Sequence, residues 1–298
     1  MEKNSDNLLA RIRFSADSML PRMKKCIDKY KTPVSLRYPA IEMSTGIMIA
    51  SDGHILSAHK LSDYVFTPSD GAFMGDIIML PVDVLAMKGS IEVTLHSDSY
   101  ESVVTVVDEK GSSFELCQEK PYPKWRTVFP GTTGYAVSVD YKAWDAALKD
   151  IIPNLTSSVY PVTISLREKS DTLSLQWANY DTDSSGLKNV NASEVPFEVC
   201  VSLNAKYLRS VMAFRPTSMR FIDSSRSVLF YNDETICLLM PLLLDGLCSR
   251  CRVDNRYCER FDLTSWIGAD LGDILVDNRN LSLAEKLREA LLKMKKAA

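Results

Sequence analysis

Apolar residues alternate with polar ones along most of this chain, and twice, in the same order, that two-residue period gives way to a helical one. Near the start, Phe14-Ser15-Ala16-Asp17 closes a short apolar strand ahead of an amphipathic helix, and Val137-Ser138-Val139-Asp140 does the same at an offset of about 123 residues. Farther on, Ile77-Ile78-Met79-Leu80 runs into a helix over Val82 to Met87, and Val199-Cys200-Val201-Ser202-Leu203 runs into one over Lys206 to Phe214. Each of these helices is expected to last about three turns. A strand-rich stretch closes each copy. Ser90 to Cys117 divides at Ser97-Asp98 and Glu109-Lys110-Gly111; Ser218 to Leu239 divides around Asp223-Ser224-Ser225 and Tyr231-Asn232-Asp233. The repeating unit is therefore β-α-β-β-β-α-β-β-β. It predicts an α+β chain of two repeated domains, each with two helices packed on antiparallel sheets.

Pro130-Gly131-Thr132-Thr133-Gly134 interrupts regular structure between the copies, which places the domains at residues 1–132 and 133–244. Units built this way leave outer strands unpaired, and such edges invite pairing with another domain or subunit. Residues 245–298 fall outside the repeat, with a terminal helix signature from Asn280 that carries Glu285, Leu287, Leu291 and Leu292 ahead of a basic Lys293-Met294-Lys295-Lys296 end.

Composition adds bounds. The 298 residues, 46% hydrophobic and 24% charged, suffice for two compact domains. The longest apolar stretch, Ile236 to Leu244, is about half a bilayer span, so no membrane association is expected. Seven cysteines and no N-terminal apolar run point to a reducing cytoplasm, with Cys26, Cys200 and Cys237 expected inside buried elements.

Charge changes the picture more. A net charge of -3 argues against a surface coated in basic residues, yet the predicted helices run positive. Arg22, Lys24, Lys25 and Lys29 lie on the first, from about Asp17 to Tyr30, opposite an apolar stripe of Leu20, Met23 and Ile27. The second adds Lys88, the third Lys142 and Lys149, and the fourth Lys206 and Arg209. One such helix would be an ordinary solvated face. Four at equivalent repeat positions suggest a lining that meets phosphates in a salt-dependent way without reading bases.

Three blocks carry a resemblance to a known family. Gly46-Ile47-Met48-Ile49-Ala50-Ser51-Asp52-Gly53-His54-Ile55-Leu56 resembles the segment of the bacterial beta sliding clamp's middle domain in which a strand leads into a Thr-Asp-Gly-His-Arg-Leu turn. Tyr122-Pro123-Lys124-Trp125-Arg126-Thr127-Val128-Phe129-Pro130 resembles the Phe-Pro-x-Tyr-Arg-x-Val-x-Pro signature that ends that domain. Phe221 to Phe230, followed by Leu238-Leu239-Met240-Pro241-Leu242-Leu243-Leu244, is similar to the family's final hairpin and its closing Met-Pro-Met-Arg-Leu. Together they span about residues 10 to 244, the family's middle and C-terminal domains.

The resemblance implies a non-enzymatic processivity factor that encircles duplex DNA without sequence preference and tethers a DNA polymerase. It implies no cofactor, and a separate clamp-loader-like ATPase to open the ring, since the chain has no Walker pattern. The family's subunit has three domains and dimerises. With no first domain expected ahead of residue 8, three two-domain subunits would supply six domains, a homo-oligomeric trimer joined through free strand edges. A clamp-derived adaptor or decoy that no longer encircles DNA is the alternative.

The family's partner-peptide cleft maps to Ser51, Gly53, His54, Ile55 and Leu56, then to Pro123, Thr127 and Val128. It continues through Ser225, Ser227, Leu238, Met240, Pro241, Leu242, Leu243 and Leu244. Apolar walls with a few hydroxyls suit a peptide with aliphatic or aromatic anchors. The bland alternative makes Leu238 to Leu244 a core strand and its exit. Ile55 and Leu243 stand where the family has arginine, so the cleft is expected to be greasier and less cationic. A bare apolar groove is a liability, so the segment after Leu244 is a candidate cover.

Catalysis draws little support. His54 lies beside Asp52 with Ser51 and Ser57 near, but no nucleophile elbow or oxyanion pattern accompanies them, and His59 and His96 are isolated. Cys248, Cys251 and Cys258 form the one metal-like spacing; a structural zinc site wants four ligands, and no histidine follows His96.

Overall fold

The computed structural model describes residues 8–28, 30, 33–69, 77–97, 101–118, 121–129, 133–156, 160–179, 181–196, 198–221, 226–242 and 259–260. In the first half, β1 (Leu8–Ser15) leads to one turn of helix, α1 (Leu20–Met23), continued by a 3-10 turn over Lys24–Cys26. A further 3-10 turn (Val34–Arg37) precedes β2 (Ala40–Glu42), β3 (Ile47–Ser51), β4 (Ile55–Lys60), β5 (Ser62–Pro68) and β6 (Ile77–Met79). Another (Val82–Ala86) leads to β7 (Ser90–Ser97), β8 (Ser102–Asp108) and β9 (Ser113–Cys117), and a last one spans Trp125–Val128.

The second half runs β10 (Thr133–Ser138), α2 (Tyr141–Ile151), β11 (Pro161–Leu166), β12 (Thr172–Asn179), β13 (Ser184–Asn191) and β14 (Val199–Asn204). It closes with α3 (Ala205–Met212), β15 (Ser218–Phe221), β16 (Val228–Tyr231) and β17 (Thr235–Leu239). A short β18 (Glu259–Arg260) pairs with β10. The predicted element order is present in both halves, with two strands more than expected ahead of the second helical segment in the first half and one more in the second.

The helices of the first half depart from expectation. The helix predicted from Asp17 to Tyr30 ends at Cys26, because Ile27 is already extended (φ -119°, ψ 130°). Thr32-Pro33 lies just beyond, and a residue before proline avoids the helical region. Over Val82 to Met87 the expected three turns shrink to a 3-10 turn between Pro81 and Gly89, with two β-branched valines inside. In the second half, real caps hold longer helices. Asp140 accepts from the amides of Lys142 (3.0 Å) and Ala143 (3.2 Å), and Asn204 from those of Lys206 (2.9 Å) and Tyr207 (3.2 Å).

Three antiparallel sheets result, in the orders β5-β1-β7-β8-β9, β18-β10-β15-β16-β17-β4-β3-β2-β6 and β13-β12-β11-β14. The nine-stranded sheet crosses the repeat: β17 of the second half pairs with β4 of the first from Thr235↔His59 to Leu239↔Ile55. In the first half β9 holds the place that β17 holds in the second, and β13 holds the place of β4; both are sheet edges.

Both faces of the shared sheet are covered, which explains the uninterrupted burial of β3 and β17. Cys237, Leu239, Met48 and Ala50 join one continuous core that includes Leu20 and Met23 of α1, Trp144 and Leu148 of α2 and Leu208 of α3. Ile236, Leu238, Ile47 and Ile49 point the other way, against Tyr122, Trp125 and Phe129. Trp144, fully buried, meets Phe230 edge to face at 6.1 Å, a contact worth about 0.5–1.5 kcal/mol beyond its area. Among the described residues no helix is long and apolar enough to cross a membrane.

Candidate partner cleft and candidate DNA-facing cations

A cavity of about 530 Å³ opens where the β3–β4 turn, the segment Tyr122–Phe129 and the ends of β16 and β17 meet. The turn makes one wall. Gly53 adopts φ +87°, a conformation that glycine takes without strain, and Ser51 donates its hydroxyl to the Ile55 carbonyl (2.9 Å) while accepting from the Gly53 amide (3.0 Å). Asp52 accepts from the amides of His54 (2.8 Å) and Ile55 (3.0 Å). The opposite wall comes from the 3-10 turn at Trp125–Val128, which buries Trp125 against Phe129 and turns Val128 outward, 48% exposed.

Of the residues assigned to the cleft from the sequence, Ser51, Gly53, His54, Ile55 and Leu56 line the cavity. So do Pro123, Thr127, Val128, Ser227, Leu238 and Met240, the last 43% exposed. Pro241 and Leu242 follow half-buried outside the lining, and the Leu242 amide donates to the Ser202 carbonyl (2.7 Å). Ser225, Leu243 and Leu244 lie outside the described residues, as does the segment considered as a cover.

Sequence reasoning missed Leu36, Tyr122, Lys124, Trp125, Phe129 and Arg226, all in the lining. Tyr122, Trp125 and Phe129 recur at near-helical spacing inside a block already singled out, a signal that was available; Leu36 sits in a separate loop and gave none. Lys124 and Arg226 bring two cations to the lining. Behind the wall, the Tyr122 hydroxyl and the Trp125 indole N–H are buried without a hydrogen-bond partner among the described residues. Burial pushes the Tyr122 phenol well above its usual range.

The candidate cations divide into two groups. Lys24, Lys25, Lys88 and Lys142 are exposed. Lys149 and Lys206 are exposed as well, but like Arg22 and Arg209 they have partners within the chain: Arg22 donates to the Ala213 carbonyl at the end of α3, and Lys206 lies 3.4 Å from the centre of the Tyr160 ring. Lys149 (2.7 Å) and Arg209 (3.1 Å) both pair with Asp145. Hydrogen bonds from Lys149, then Arg209, outweigh desolvation and hold the Asp145 carboxyl below its ordinary value. Lys29 lies outside the described residues.

The His54 ring stacks on that of Tyr207, with 6.0 Å between centres. His59 is buried at the joint between the halves, with Nε2 2.6 Å from Asp17 Oδ2 and Nδ1 2.9 Å from Thr235 Oγ1. Cys26 is also fully buried, and desolvation pushes its thiol up to about 12. Among the described residues no group of side chains could hold a metal ion; Cys248, Cys251 and Cys258 lie outside them.

This order of strands and helices is that of a DNA clamp fold. The solved structures that share it include the beta clamp of Helicobacter pylori bound to a DNA ligase peptide, at 14% identity and a TM-score of 0.61 over 82% of this chain and 68% of that one. The beta sliding clamp of C. crescentus matches at 16% identity and a TM-score of 0.64, again over 82% and 68% of the two chains. The DNA polymerase III subunit beta of Bartonella birtlesii, bound to griselimycin, matches at 17% and 0.62 over the same shares. At such identities the likeness is one of fold. No family model and no curated protein matches the sequence.

Proposed function

We propose that this chain is a non-enzymatic, sliding-clamp-type processivity factor. Two clamp units, 1–132 and 133–244, corresponding to the middle and C-terminal domains of the bacterial beta clamp, assemble with copies of the chain into a ring around duplex DNA. The cleft holds a linear peptide from a polymerase or a clamp-loading ATPase. The observation that carries this reading is the cavity itself: in a clamp fold, an apolar cleft of about 530 Å³ stands where two units share a sheet, with Val128 and Met240 exposed at its mouth.

The free edges support assembly. The chain already contains one joint in which the last strand of a unit adds to the other unit, β17 on β4. By the repeat, β9 of one copy adds to β13 of the next, where Leu187 is 51% exposed. Three chains of two units complete six, in a cytoplasmic homo-oligomer. One observation favours the adaptor or decoy reading: Arg22, Lys149 and Arg209 are engaged internally, which reduces the charge left for phosphates.

Light scattering at micromolar concentration, followed by retention on circular and on linearised DNA, separates the two. A trimer that stays on the circle and runs off the line is the expected result. A monomer bound to neither form rejects encirclement and leaves the adaptor.

A further inference from the structure

The turn that forms one wall of the cleft is held from outside it. Both oxygens of Asp52, a carboxylate 6% exposed, are in use: Oδ1 accepts from the amides of His54 (2.8 Å) and Ile55 (3.0 Å), and Oδ2 accepts from the Tyr207 hydroxyl (2.6 Å). Tyr207 also lays its ring against that of His54, 6.0 Å between centres and 28° from parallel. Yet Tyr207 is not part of the lining. It belongs to the first turn of α3, in the second half of the chain, where Asn204 fixes its amide.

A second tie runs to the same place. The Met240 amide donates to the His54 carbonyl (2.9 Å), and two residues on, the Leu242 amide donates to Ser202 of β14, the strand that enters α3. Two parts of the cleft, the turn and the exit of β17, therefore take their positions from the β14–α3 segment. The Asp52–Tyr207 bond is of the short, charge-assisted kind, roughly twice as strong as a neutral one. Desolvation and the Asp52 carboxylate both push the phenol well above its usual range, so it stays a donor.

We propose that Tyr207 is a positioning residue for the cleft: its hydroxyl sets the Asp52 turn, and thereby couples peptide binding to the first turn of α3. The proposal rests on reading the cavity as a peptide cleft. Coupling of this kind is reciprocal, so a ligand in the cleft must in turn steady α3. The same turn of α3 carries Lys206, with Arg209 one turn further on, so whatever engages those cations acts on the cleft through Tyr207.

Tyr207→Phe removes the hydroxyl and keeps the ring over His54. In the full chain, amide hydrogen exchange at His54 and Ile55 should accelerate by about tenfold, while exchange at Val162 and Ile164 in β11 stays as in wild type. Affinity for the DNA ligase peptide of the Helicobacter pylori complex and for griselimycin should fall by a similar factor, about tenfold. Either ligand, bound to wild type, should slow exchange at the Lys206 and Tyr207 amides, and that protection should disappear in the variant. Unchanged exchange at His54 and Ile55 overturns the proposal and leaves the cleft reading standing. Faster exchange with undiminished affinity overturns it too, as does ligand binding that leaves α3 unprotected. A wild-type chain that takes neither ligand rejects the cleft reading, and the coupling falls with it.

Discussion

Asp17 and Asp140 occupy equivalent places in the repeat; Asp140 is the N-cap of α2, whereas Asp17 stands two residues ahead of the N-cap of α1 and reaches further. Its Oδ1 accepts from the amides of Met19 (2.7 Å) and Leu20 (3.3 Å), and its Oδ2 meets the buried His59 at the joint between the halves. Desolvation raises the Asp17 carboxyl; the hydrogen bond and charge of His59, with the two amides, outweigh it and leave the group below its ordinary value of 3.8. A depressed carboxyl contributes stability that is complete above the unfolded-state value and is lost as pH falls through the folded one. Asp17→Asn should therefore lower the urea midpoint at neutral pH. The gap from wild type should close as pH falls below about 4. A gap that stays constant down to pH about 3 would show that the ionised carboxylate is not what stabilises the joint. The His59 contact itself was not visible in the sequence, because pairing of β17 on β4 sets Thr235 opposite His59 and Asp17 reaches it from the segment ahead of α1, neither of which spacing reveals.

At the scale of elements, the two halves use one pattern with different strengths. α2 and α3 have side-chain caps and run 11 and 8 residues, whereas α1 lasts 4 before tightening into a 3-10 turn. A lost N-cap costs about 0.5–2 kcal/mol, so Asp140→Ala and Asn204→Ala should each lower unfolding free energy by about 1 kcal/mol in urea titrations. Asn204→Ala should also loosen Tyr207, which the cap holds by its amide. Losses indistinguishable from zero would mean that packing alone fixes these helices. The stripe of Leu20, Met23 and Ile27 was readable: Leu20 and Met23 are buried, and Ile27, beyond the end of the helix, is partly buried against the same core. The length of their helix was not, since it ends where the chain leaves for Pro33 and the next sheet.

For the whole molecule, the proposed encirclement asks more of charge distribution than of net charge. With Lys149, Arg209 and Arg22 engaged internally, the exposed Lys24 and Lys25 become the sharper test. Replacing both with glutamate should shorten retention on circular DNA and reduce the salt slope by about 1 for each phosphate no longer neutralised, with the assembled mass unchanged by light scattering. Unaltered retention and slope would mean that this segment does not face a duplex.

The sequence by itself determined the repeated order of elements, the strands of both closing stretches, the apolar positions Leu20 and Met23 of α1 and most of the residues that line the cavity. Each depends on local spacing, on turn chemistry or on a contiguous motif. Tertiary structure decided the rest: that β17 adds to β4, so that Ile55 and Leu56 stand beside Leu238 and Leu239; that Leu36 and Arg226 reach the same cavity; and that Asp52 answers to Tyr207. These contacts cross between the two halves of the chain, and strand register between β17 and β4, with the packing of the turns and of α3 around it, determines which of them meet; no local pattern encodes either.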